Sequence, residues 1–170
     1  MMINKRIEDN ISVGNRTLGF TMLEMMIIVV IIGIAAAMAG PTFFAGVPKL
    51  KARTEARNVL SLIRLARSNA ISNGAQYGVY VDITNRQYLF FKDIANPANM
   101  AYDLADSIIS GPEPIPVDVS VLNSTFAGNS VVFLPSGRAS QSGNFTFDIS
   151  AGGALYTVSV LASTGRSKLQ

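Results

Sequence analysis

No charged residue occurs between Met25 and Pro48, and the first part of that stretch, Met25–Ala39, reads MMIIVVIIGIAAAMA. The only polar member of the run is Thr42. A helix needs about 20 apolar residues to cross the hydrocarbon core of a bilayer, so this run is long enough to span it. A core helix of a soluble domain seldom stays apolar on every face for that distance. A secretory signal peptide has an apolar region of about 7–15 residues followed by a small-residue cleavage site. The run here is longer, although Ala35-Ala36-Ala37 offers such a site. The chain therefore reads as one membrane helix joined to a further part, and 170 residues leave room for one ordinary domain beside it.

Composition narrows what that domain does. The sequence contains no His and no Cys. That removes the usual base at neutral pH, the thiol nucleophiles, the disulfides and the commonest metal ligands. The acidic residues, 11 in all, are scattered without a D-x-D-x-D-G loop. No catalytic residue, metal site or cofactor is expected. The net charge of +3 says little by itself; its distribution says more.

Residues 1–19 are polar and mildly basic, with Lys5, Arg6 and Arg16 against Glu8 and Asp9. Then comes Gly19-Phe20-Thr21-Met22-Leu23-Glu24, which puts a carboxylate in the first apolar turns. An ionisable group inside a membrane costs at least about 2.5–3.5 kcal/mol and is a functional candidate by default. Its partner should be positive.

This G-F-T-x-x-E segment, followed by an apolar run, closely resembles the N-terminus of type IV prepilins and type II secretion pseudopilins. The resemblance implies cleavage by a membrane prepilin peptidase between Gly19 and Phe20, and N-methylation of the new first residue, Phe20. It makes Glu24 the fifth residue of the mature chain and Pro41 the family's helix proline. Gly40 and Pro41 then mark a kink. Residues 1–19 would be a removed leader, residues 20–48 the transmembrane and assembly helix, and residues 49–170 a periplasmic pilin-like domain. The basic leader would stay cytoplasmic, as positive-inside bias asks, in a single pass of a bacterial inner membrane. Cleavage creates an ammonium at Phe20 that Glu24 of this or a neighbouring subunit can neutralise, and an unpaired buried charge is heavily penalised.

The rest is read from periodicity. In residues 49–73 at 100° per residue, Ala52, Ala56, Val59, Leu62, Ile63, Ala66 and Ala70 share one face. Lys49, Arg53, Arg57, Arg64 and Arg67 form a basic stripe about 80° wide, read as a solvated face or subunit contact. Asn73-Gly74 is a helix stop. One helix from Thr21 to Ser72 would be about 78 Å long, with Pro41 and Pro48 interrupting continuity around 40–48. Residues 76–83 and 87–92 alternate around Thr84-Asn85-Arg86 and predict a hairpin. Residues 93–129, rich in Pro, Asn, Ser and Asp, read as a long variable loop with one strand near 117–122. Strands follow at 130–134, 144–150 and 155–162, with turns at Pro135-Ser136-Gly137 and Ala151-Gly152-Gly153. The expected fold is α+β and type IV pilin-like. A long N-terminal helix packs on a mainly antiparallel β-sheet domain spanning residues 76–168.

Three short motifs sharpen the resemblance. Leu65-Ala66-Arg67-Ser68-Asn69-Ala70, Val132-Phe133-Leu134-Pro135-Ser136-Gly137 and Thr164-Gly165-Arg166 resemble, in order, the A-R-S-x-A, F-x-P-x-G and T-G-R of H-type pseudopilins and FimT/FimU-type minor pilins. The implied role is a structural subunit of a secretion pseudopilus or a type IV pilus. The implied partners are other pilins or pseudopilins, the prepilin peptidase, the inner-membrane assembly platform and membrane lipid. A second reading is a pilus-tip subunit that binds DNA for uptake, with Arg138, Arg166 and Lys168 as its anion contacts. The plainer account of those cations is edge-strand charge that deters aggregation. Tyr77, Tyr80, Tyr88, Phe90 and Phe91 sit at strand positions and read as core rather than as a stacking platform.

Overall fold

The computed structural model describes residues 19–149 and 155–170, so residues 1–18 of the expected leader and the turn expected at Ala151-Gly152-Gly153 lie outside the described residues. The chain divides into two units, one ending at Pro41 and one running from Thr42 to Gln170. Helix α1, Met22–Asn73, contributes to both. In the first unit, Met22–Ala39 has a mean hydropathy of 2.5 and none of it is buried within the chain. Its apolar surface needs lipid or other subunits. Neither Pro41 nor Pro48 ends the helix, although each removes one donor from the ladder. The helix ends at Asn73, and Gly74 follows at φ +62°, the left-handed cap that glycine adopts without a Cβ clash.

The second unit carries eight strands among its described residues: β1 (Tyr77–Asp82), β2 (Gln87–Lys92), β3 (Ser107–Pro114), β4 (Val119–Ser124), β5 (Ser130–Phe133), β6 (Gly143–Ile149), β7 (Tyr156–Leu161) and β8 (Arg166–Leu169). They form two four-stranded sheets, in the orders β3-β2-β1-β5 and β4-β6-β7-β8. Every pairing is antiparallel. The sequence leaves the number of sheets open. Alternation within a strand tells which face is buried but not which strand lies beside it, and both sheets turn the same kind of face to one core. Ala52, Ala56, Val59, Ile63, Ala66 and Ala70 of α1 are completely buried there, with Leu62 partly covered. Val79, Val81, Phe90, Val131 and Phe133 from the first sheet pack into the same core as Phe145, Phe147, Val158 and Val160 from the second. Each fully buried Val, Ile or Phe contributes about 1.5–3 kcal/mol.

The hairpin forms as expected, with Tyr77 opposite Lys92 and Asp82 opposite Gln87. Its turn is held by the Asp82 carboxylate, which accepts from the Asn85 backbone N–H at 2.9 Å and from Asn85 Nδ2 at 2.7 Å. The same bonds hold that carboxyl below its usual range. Arg86 donates through Nη2 to the carbonyl oxygens of Pro116, at 2.6 Å, and of Val119, tying the hairpin to the crossover between sheets.

Segment 93–129 departs from the loop reading. It contains β3 as well as β4. All eight residues of β3 are exposed, and β3 is the outer strand of its sheet. An outer strand leaves one row of N–H groups unpaired, so it tolerates Pro112 and Pro114, the residues that argued against a strand. The loop before β3 also covers the outer face of the first sheet. Tyr102 stacks on Tyr80, with ring centroids 4.6 Å apart, and meets Phe91 edge-on at 5.0 Å. Leu89, Phe91 and Val132 form a small second core beneath it.

That loop is organised by Asp106, whose carboxylate accepts from the backbone N–H groups of Ile94, Ala95 and Asp103 at 2.8–2.9 Å. Nearby Asp93 is buried with neither carboxylate oxygen hydrogen-bonded. Burial, then the charges of Asp106 and Asp103, push its pKa up to about 6. A carboxyl that titrates near 6 when folded and near 3.8 when unfolded takes up a proton on folding between those values. Its contribution to stability therefore falls as pH rises from about 4 to 6, and the penalty is complete above that window. Asp93→Asn should raise stability at pH 7.5 by about 1 kcal/mol or more and remove this slope. Denaturant melts between pH 4.5 and 7.5 of a chain starting at residue 49 test it; an unchanged slope in the variant refutes the assignment.

Candidate functional site

Two places carry the residues singled out above. The first is the start of α1. Gly19, Phe20 and Thr21 are exposed and precede the helix. A Cβ on Gly19 would meet nothing within 4 Å, so the chain's own packing does not demand glycine there. Thr21 caps the helix: its Oγ1 accepts from the backbone N–H of Glu24 at 3.2 Å, and its carbonyl accepts from Met25 at 3.2 Å. Thr21-x-x-Glu24 is thus the sequence of a capping box, with the threonine half formed. The order T-x-x-E ahead of an apolar run is legible in sequence but is hidden by attention to the carboxylate alone. Glu24 lies in the first turn, where the helix dipole favours a negative charge, and it is exposed within this chain.

The second place joins the three internal motifs. Arg67, from the helix motif, is half-buried, and its Nε donates to the carbonyl oxygen of Gly137 at 2.9 Å. It therefore does not belong to a freely solvated stripe, unlike Lys49, Arg53, Arg57 and Arg64, which are exposed. Gly137 closes the Pro135-Ser136-Gly137 turn at φ +79°, its N–H donating to Leu134 O at 2.8 Å. A Cβ on Gly165, at φ +63°, would overlap that same Gly137 carbonyl oxygen and lie 2.8 Å from Arg67 Nε. Helix, turn and closing strand meet at one carbonyl, which explains why each motif carries its Arg or Gly.

Around this junction lie two open grooves. Arg64, Arg67, Ser68, Thr164, Gly165, Arg166 and Ser167 line one of about 490 Å³. Arg166 and Lys168 also line the other, of about 620 Å³, with Asn144 and Ser159 across it. Arg138 is exposed on the turn and lines neither groove, and among the described residues no aromatic side chain lines either. Tyr77, Tyr88, Phe90 and Phe91 are buried. Arg138, Arg166 and Lys168 thus do not line a single groove, and among the described residues no ring lines the grooves to stack on bases.

Residues 55–164 match the family model described as type II transport protein GspH, and residues 14–40 match the prokaryotic N-terminal methylation motif. No curated protein matches the chain. Among solved structures, the minor pseudopilin EpsH from the type 2 secretion system of Vibrio cholerae is similar at a TM-score of 0.57 and 15% identity, covering 71% of this chain and 96% of that one. The type IV minor pilin FimU of Pseudomonas aeruginosa is similar at a TM-score of 0.55 and 14% identity, covering 72% of this chain and 90% of that one. A membrane-length apolar helix behind a methylation motif, followed by a domain of this sequence family and this fold, makes the chain a member of the GspH family of minor pseudopilins and pilins.

Proposed function

We propose that this protein is a structural subunit that helps initiate or cap a type II secretion pseudopilus or a type IV pilus, with no reaction of its own. The observation that carries the reading is the exposed, non-helical Gly19-Phe20 pair directly before a threonine-capped apolar helix. In this reading a prepilin peptidase cuts between Gly19 and Phe20 and methylates the Phe20 amine. Residues 20–48 then hold the chain in the inner membrane, loosening around Gly40 and Pro41, and residues 49–170 face the periplasm. The assembly platform later draws the subunit into the filament, where a neighbour's Phe20 ammonium neutralises Glu24. The free space around a Cβ at Gly19 supports this account, because a glycine that the fold does not need there answers to a narrow enzyme site.

Gly19→Leu should leave the chain full-length in the membrane and absent from filaments, while its domain folds normally. Terminal mass analysis of the wild-type protein should find N-methylated Phe20. Assembled protein that retains Met1, or that begins after Ala37, refutes the processing site.

A further inference from the structure

We propose that the two adjoining grooves around Arg166 form a receptor for an acidic segment of a neighbouring pilin or pseudopilin subunit. The inference rests on the reading of the chain as a filament subunit and assigns that subunit a specific contact. Arg64, Arg67 and Arg166 converge on one groove, and Arg166 is shared with the second, where Lys168 joins it. Among the described residues, no Asp or Glu lines either groove. Among the described residues the ion pair formed is Lys51 with Asp118, at 2.6 Å, and it involves none of these four cations. Four like charges brought together without a carboxylate repel one another, and an incoming anion relieves that repulsion.

The rest of the lining is rich in donors. Ser68, Thr164 and Ser167 border the first groove, and Ser142, Asn144 and Ser159 the second. The arginine forks match carboxylates in a bidentate way. Arg67 is already fixed through Nε to Gly137, so little side-chain freedom remains to be lost at that position. Nucleic acid fits less well, because among the described residues no aromatic side chain lines the grooves to stack on bases.

The test uses the full-length chain in cells that assemble the filament, with a photo-reactive residue at Ser167. A second set of cells carries it at Met26 in the apolar helix, and a third at Asn85 on the hairpin turn. Ser167 crosslinks should map to a segment of another subunit that contains Asp or Glu. Arg64→Glu with Arg166→Glu should cut their yield by about tenfold or more, while the amount of processed protein and the Met26 crosslinks stay unchanged. Ser167 crosslinks that survive the double reversal, that map to a segment without carboxylates, or that are matched by those from Asn85, overturn the inference alone. Loss of both the Ser167 and the Met26 crosslinks in the wild-type protein overturns the subunit reading and this inference with it. Purified full-length chain in detergent provides a further arm with a short DNA duplex and phosphatidylglycerol vesicles. Charge-dependent binding to either, without subunit crosslinks at Ser167, overturns the proposal in favour of a phosphate ligand.

Discussion

Glu24→Ala protein should be inserted, cleaved and methylated in normal amounts, yet enter filaments about 100-fold less than the parent. Removing one partner of a buried charge pair typically costs about 3–5 kcal/mol, and each 1.4 kcal/mol is about a tenfold change in association. Within the isolated chain Glu24 is exposed, so its loss leaves folding alone and acts only when subunits pack. The cap at Thr21 allows a second, separable effect to be measured. Thr21→Ala loses the bond to the Glu24 backbone and should weaken the first turn by about 1 kcal/mol, a small effect beside the loss of charge. Glu24→Gln keeps a capping side chain without the charge. Crosslinking to partner subunits should fall with Gln as steeply as with Ala; if Gln assembles like the parent, hydrogen bonding at the helix end, not charge, is what matters.

The second large effect is expected at Gly165. Gly165→Ala places a methyl group against the Gly137 carbonyl oxygen and Arg67 Nε, at a φ of +63°. The closing strand, the turn or Arg67 must move, and the bond from Arg67 to Gly137 is lost. Left-handed backbone costs an L-residue about 1 kcal/mol, and an unsatisfied buried group about 1–3 kcal/mol more. For a domain of this size the sum lowers the melting temperature by about 10 °C or more. Gly128 supplies the control. Its φ is +62°, but the nearest neighbour of an added Cβ is 3.9 Å away, so Gly128→Ala should show the backbone cost alone. Equal melting temperatures for the two variants would mean that the junction contributes nothing.

The sequence was most informative where a local period or a local turn decides the structure. The buried face of α1 follows from the spacing of Ala52, Ala56, Val59, Ile63, Ala66 and Ala70. The β1–β2 hairpin follows from Thr84-Asn85-Arg86 between alternating runs. The membrane run and the processing motif are contiguous and legible for the same reason. What escaped reading depends on distant partners. β3 hides behind Pro112 and Pro114 because its outer position, which makes proline acceptable, is a property of the sheet. The second sheet hides because Phe145 and Phe147 alternate just as Val79 and Val81 do. Tyr102 looks like a loop residue until it is found on Tyr80 and Phe91. Arg67 sits on the basic stripe by helical angle, yet its guanidinium is claimed by a carbonyl 70 positions away.

That separation also sets an order of events as the chain is made. The helix leaves the ribosome long before Gly165, and contacts between segments so far apart form late because a long loop must close first. Until the sheets form, the alanine face of α1 lacks its cover, and until Gly137 emerges Arg67 lacks its carbonyl partner. A nascent subunit therefore passes through a stage in which its apolar surface is open to wrong associations. The shared carbonyl of Gly137 acts as a final latch, so changes at Gly165 should lower the yield of folded subunit during synthesis as well as its stability afterwards.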